Sequence, residues 1–135
     1  MKSFNSFKRF LSESINDLAN EFFYKIRKSA DIAHHIHLNS DSYSQHMALD
    51  EYYNGIIGLL DKYMENFIGR YGKLSDYEEY ENKFDTEDPI KLLHDVRYYI
   101  DQERSELGTQ SELQNLIDEI LGLLNSTIYK LENLK

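Results

Sequence analysis

In four separate stretches of this chain, apolar side chains return every third or fourth residue, the repeat of a helix with one buried face. From Ser14 to His37 the series runs Ile15, Leu18, Ala19, Phe22, Ile26, Ala30 and Ala33. After a short polar connection it resumes near Ser42 and continues to about Ile68 through Leu49, Tyr52, Ile56, Leu60, Tyr63 and Phe67. A third helix is expected from Asp88-Pro89, an N-cap followed by proline at the first helical position, to about Leu107, where Gly108 stops it. The fourth carries Leu113, Leu116, Ile117, Ile120, Leu124, Ile128 and Leu131. Ser42 with Gln45, and Ser111 with Gln114, have capping-box spacing. The connection from Gly69 to Glu87 is long for a bundle loop, so a short helix is expected around Tyr77 to Lys83. Two short connections and one long one predict an all-α four-helix bundle with a crossover between its middle helices.

Composition narrows the function classes. With no cysteine, thiolate metal sites and disulfides are excluded, and a reducing, cytoplasmic setting is expected. No apolar run reaches the roughly 18 residues of a membrane span, and Met1 to Phe10 lacks the long apolar core of a signal peptide. A net charge of −9 disfavours nucleic acid, whose phosphates call for Lys and Arg, and suits a protein that attracts cations.

The metal-capable residues are unevenly spread. A histidine near the end of the first helix (His34 or His37) precedes His46, Asp50, Asp61 and Glu65 on the second. The last four form a near-palindrome: a pair four apart, a gap of eleven, and another pair four apart. Eleven residues is close to three turns, so all four project into one stripe roughly 100° wide. One ion cannot span it, since His46 and Glu65 lie about 28 Å apart along the axis. Antiparallel pairing with a second copy, however, brings His46 to Glu65 and Asp50 to Asp61. The stripe sits roughly 100–120° from the apolar ridge, on the shoulder of the bundle rather than inside it. In-bundle di-iron proteins use Glu-x-x-His, and that motif is absent here. The spacing therefore predicts a metal site closed across a two-fold axis. Imidazoles with carboxylates and no thiolate suit Fe(II), Mn(II) or Zn(II). The competing expectation is ordinary: Asp and Glu four apart are most often a solvated face. His35 is expected to face solvent and His94, beside Asp95, to be structural, while Tyr53 and Ile57 lie between the two acidic pairs on the stripe.

The segments Ala33-His34, His46-Met47-Ala48-Leu49-Asp50-Glu51-Tyr52-Tyr53, Leu60-Asp61-Lys62-Tyr63-Met64-Glu65 and Arg70-Tyr71-Gly72 resemble the Dps branch of the ferritin-like superfamily, the mini-ferritins. The resemblance covers about 40 residues and matches His46, Asp50, Asp61 and Glu65 one by one. It implies a ferritin-like bundle with a short helix in the crossover and ferroxidase sites shared across two-fold interfaces. It also implies a homo-oligomer, often a dodecameric shell, that oxidises iron with peroxide. Two departures stand out. The family's first histidine precedes Trp, whereas His37 precedes Leu38; His34 instead keeps the family's twelve-residue spacing to His46, so both remain candidates. The Lys-rich tail that many members use on DNA is reduced to Lys2, Lys8 and Arg9.

The variants around Tyr43-Ser44-Gln45-His46 and Gly69-Arg70-Tyr71-Gly72 look closer to small tailed-phage proteins. Residues 1–13 are similar to capsid-targeting leaders of T-even-type phages, cut after a Leu-x-Glu such as Leu11-Ser12-Glu13. The alternative is an amphipathic lead-in packed through Phe4, Phe7, Phe10 and Leu11. A phage origin would place the protein in the infected cell or the virion interior. Two functions are thus expected to compete: an iron-oxidising or iron-sequestering protein with bundle residues 14–135, and a non-enzymatic helical interaction or internal capsid protein on the same scaffold.

Overall fold

The computed structural model describes residues 14–82 and 84–135, so both readings of residues 1–13 lie outside the described residues. Four α-helices are present among them: α1 (Ile15–Leu38), α2 (Tyr43–Tyr71), α3 (Pro89–Glu103) and α4 (Ser111–Asn133). The expected apolar ridges are the core. Phe22, Ile26, Leu49, Tyr52, Ile56, Leu60, Tyr63 and Phe67 are all buried, as are Leu113, Ile117, Ile120 and Leu124.

Local chemistry sets the helix ends. Ser14 and Asp17 close a full capping box, each backbone N–H donating to the other's side chain at 3.1 Å. At α2 only half of the expected box forms: Ser42 Oγ accepts from the Gln45 N–H, but Gln45 Nε2 turns to Ser40 Oγ at 3.0 Å. Asp88 Oδ1 caps α3, accepting from the N–H groups of Ile90 and Lys91. That helix ends at Glu103, short of the expected Leu107, because its last turn tightens into a 3-10 turn, Arg104–Glu106. The Ser111–Gln114 cap expected for α4 does not form. Gln110 is the cap residue, without a side-chain bond, and Gln114 Nε2 is already committed to the carbonyls of Arg104 and Gly108. Gly108 takes φ +94° between the helices, a conformation that costs other residues energy.

The long connection, residues 72–88, departs most from expectation: no helix occurs in its described residues. Asp76, Glu78, Glu79 and Glu81 crowd four carboxylates into six residues, and like charges at helical spacing repel. The backbone finds other partners. Asn16 Nδ2 donates to the carbonyls of Tyr71, Gly72 and Lys73 at 2.9–3.3 Å, and Asn20 Nδ2 donates to that of Asp76 at 3.0 Å. Beyond these pins the connection follows α1 upward. Tyr77 and Tyr80 lie against Tyr24, and Asn82, Phe84 and Asp85 face Lys28, Ile32 and Ile36 across a shallow cleft.

The chain therefore returns to the end where α1 finishes before starting α3, which runs back down beside α1. Each helix then contacts two neighbours: α1 with α2 and α3, and α4 with α2 and α3. Ser44 Oγ reaches the Leu134 carbonyl and Tyr71 OH reaches Gln110, so α4 lies antiparallel to α2. The core is tied by two buried phenols. Tyr63 OH donates to the Leu107 carbonyl at 2.6 Å. Ser29 Oγ spends its proton on the Ile26 carbonyl, so Tyr52 OH is the donor in the 2.8 Å bond between them. No helix is long and apolar enough to cross a membrane among the described residues.

Candidate metal centre

The corner where α1 ends and α2 begins holds three of the five described histidines in series, His34 beside His37 and His37 on His46. His37 and His46 stack with ring centroids 3.6 Å apart and planes 19° from parallel. Each ring also bonds the other residue's backbone: His37 Nδ1 to the His46 carbonyl at 2.7 Å, and His46 Nδ1 to the His37 carbonyl at 2.9 Å. A carbonyl oxygen only accepts, so both Nδ1 atoms carry the proton. In the neutral rings both Nε2 atoms then hold a lone pair. This is the tautomer that a metal-binding histidine needs when its other nitrogen is hydrogen-bonded.

His37 is only 6% exposed, yet its Nε2 is not sealed off. No buried side-chain nitrogen or oxygen lacks a partner among the described residues, and this Nε2 has none, so the atom reaches the surface. His34 adds a second layer, exposed and stacked on Tyr53 at 4.1 Å, with its ring 5.9 Å from that of His37. Both first-helix candidates thus belong to the cluster: His37 locked inside it, His34 on its rim.

Asp50 lies one turn beyond His46 and is half-buried. Its Oδ1 accepts from Tyr53 OH at 3.0 Å and from Asn54 Nδ2 at 3.3 Å, which leaves Oδ2 for another cation or donor. Burial, then the Asp50 carboxylate, raises the Tyr53 phenol above its ordinary range, so it stays a donor. Neither the Tyr53 support nor the reciprocal histidine bonds were deduced from the sequence. Tyr53 and Asn54 do sit three and four residues after Asp50, the spacing at which helical side chains meet.

Asp61 and Glu65 are elsewhere. Both are exposed, on the same face of α2 but about 16 Å (Asp61) and about 22 Å (Glu65) beyond Asp50 at the helical rise. Neither makes a hydrogen bond or ion pair with a described residue; Glu65 lines a shallow depression beside Arg70, whose guanidinium pairs with Glu112. Consequently no three His, Asp or Glu side chains converge on one point within a single chain, among the described residues. His35 is exposed, as expected, and His94 accepts from Arg97 and approaches Glu132 at 3.7 Å on the far side of the bundle.

With these positions fixed, the chain can be compared with known proteins. A family described as being of unknown function, DUF5856, matches residues 37–131. The chain belongs to that family. Its matched region takes in His37, His46, Asp50, Asp61 and Glu65 and leaves His34 outside. No curated protein and no solved structure matches the chain.

Proposed function

We propose that this DUF5856 member is a ferritin-like, Dps-like iron-binding protein whose ferroxidase sites form between two copies paired along α2. The observation that carries the reading is the reciprocal histidine clasp, which holds both Nε2 lone pairs ready at one end of a donor face. The other end of that face carries two carboxylates without a partner among the described residues. The fold is compatible, being a four-helix bundle whose connection crosses its whole length.

In this reading Fe(II) is the substrate. His37 or His34, with His46, would supply imidazole nitrogen, and Asp50 would supply one oxygen held in place by Tyr53 and Asn54. Asp61 and Glu65 of the second copy would add hard oxygen donors and offset the charge. Mn(II) and Zn(II) suit the same set. Two Fe(II) ions give one electron each to hydrogen peroxide, yielding two Fe(III) and two hydroxide ions; dioxygen is the alternative oxidant. Larger assemblies, including a twelve-subunit shell, would need further contacts beyond this one.

The test is metal analysis of the purified protein with Fe(II) oxidation followed spectroscopically in wild type and Asp61→Ala. The expected result is iron in the wild type and loss of most oxidation in the variant. Unaltered iron binding by Asp61→Ala would overturn the proposal.

One observation favours a second reading, a non-enzymatic interaction protein such as an internal phage protein on the same scaffold: no donor trio converges within one chain. That reading expects a monomer, or an oligomer indifferent to chelator, without oxidase activity.

A further inference from the structure

Away from the α2 face, the most unusual placement is that of Lys25 on α1. It is only 6% exposed, and a lysine so buried is rare unless its charge is met. Two groups meet it in part. The Glu21 carboxylate stands 3.6 Å from Nζ, one turn back on the same helix, and the ammonium lies 4.9 Å from the centre of the Tyr99 ring on α3. Both contacts are electrostatic, and neither is a hydrogen bond. Nζ makes none with any described residue, so its three N–H groups are left without an acceptor.

No buried side-chain nitrogen or oxygen lacks a partner among the described residues, so Nζ keeps a small accessible surface. Lys25 lines a cleft of about 460 Å³ between α1, α3 and the crossover connection. That volume falls within the roughly 300–1,000 Å³ of small-molecule sites.

The walls decide what fits. Phe84 and Tyr99 meet edge to face with ring centroids 6.0 Å apart, and the exposed Tyr98 lines the same cleft. Asp95 and Glu103 line it too, one turn before and one turn after Tyr99 on the same face of α3. Asp95 pairs with Lys91 at 2.7 Å. An ammonium between two carboxylates, in an aromatic cleft, favours a molecule that is apolar except for one negative end. A phosphate or a dicarboxylate would bring further negative charge towards Asp95 and Glu103. A neutral aromatic would leave the three donors unmet, and a cation would be repelled by Lys25 itself.

We infer that this cleft binds a small aromatic monocarboxylate. Lys25 Nζ donates to its carboxylate, Glu21 positions the ammonium, and the ring lies among Phe84, Tyr98 and Tyr99. The site shares no residue with the α2 donor face, so it stands or falls apart from the ferroxidase reading.

Equilibrium dialysis of the full chain against benzoate, benzyl alcohol and inorganic phosphate tests this, with EDTA present so that no metal holds the carboxylate. Benzoate should bind saturably at one site per chain. The other two should bind about tenfold more weakly or worse, the alcohol for want of charge and phosphate for want of a ring. Lys25→Met, which keeps the reach of the side chain, should weaken benzoate by about tenfold or more. Tyr98→Ala, which removes an exposed wall without touching the core, should weaken it several-fold. Should Lys25→Met fail to fold, Tyr98→Ala and the alcohol comparison still decide. Absence of saturable benzoate binding, equal affinity for benzyl alcohol or phosphate, or undiminished binding by either folded variant would overturn the inference.

Discussion

The two ends of the α2 donor face are built by opposite means. At the His46 end, every functional group is held: two rings stacked and reciprocally bonded, a third stacked on Tyr53, and a carboxylate bonded by Tyr53 and Asn54. At the Glu65 end, Asp61 and Glu65 stand in solvent with no partner among the described residues. Histidine rings are rigid and can be locked by a backbone carbonyl, so half a site can be assembled before anything binds. Carboxylates without partners are cheap to leave hydrated, whereas burying them unpaired is not. One end of the face is thus fixed by its own chain and the other is left without partners among the described residues.

That division can be broken from either side. The largest effect is expected from His37→Ala, which empties the stack and removes the Nδ1–H that the His46 carbonyl accepts. It should cost about 2–4 kcal/mol in urea unfolding. Asn20→Ala comes next, removing the pin on the Asp76 carbonyl for about 1–2 kcal/mol, with faster amide exchange in residues 74–80 as its signature. Gly58→Ala should stabilise the fold by roughly 1 kcal/mol in urea unfolding, since a Cβ there meets nothing within 4 Å. Asp61→Ala should leave single-chain stability within about 0.5 kcal/mol while removing oxidation, the opposite profile to Asn20→Ala. A loss above 1 kcal/mol for Asp61→Ala would erase the contrast between the two ends.

The smallest effect is a pH dependence. The Ser75 hydroxyl, and then the Ser14 backbone N–H, hold the Asp17 carboxyl below its ordinary range. A folded value below the unfolded one contributes stability above the unfolded value, which is lost as pH falls through the folded one. The difference in unfolding midpoint between wild type and Asp17→Asn should therefore shrink between about pH 5 and pH 2. A gap that stays constant over that window would exclude the carboxylate as its source.

Much of this was readable in the residues. The apolar series located all four helices because core burial and helical period are local signals, and α1 and α2 end within three residues of expectation. The connection was not readable as drawn. Its helix was expected from length and from the mini-ferritin resemblance, while the partners that replaced helical bonds, Asn16 and Asn20, lie more than fifty residues away. The α4 cap failed for the same kind of reason, since Gln114 serves the turn before it. At the site, spacing marked the donor face, and the structure locates its two ends. The proton positions on His37 and His46 emerged only from carbonyls on the adjoining helix, nine residues removed in each case.

The unwound crossover has one more consequence. Its seventeen residues, 72 to 88, can stretch to about 56 Å, while the 24-residue α1 that it follows is about 36 Å long. The strap has slack. Deleting four residues from the acidic segment 76–81 should leave α3 able to reach its place, but deleting eight from the whole connection would make the tether shorter than the rod it must pass. Tolerance to length change here is a matter of geometry, and it ends abruptly.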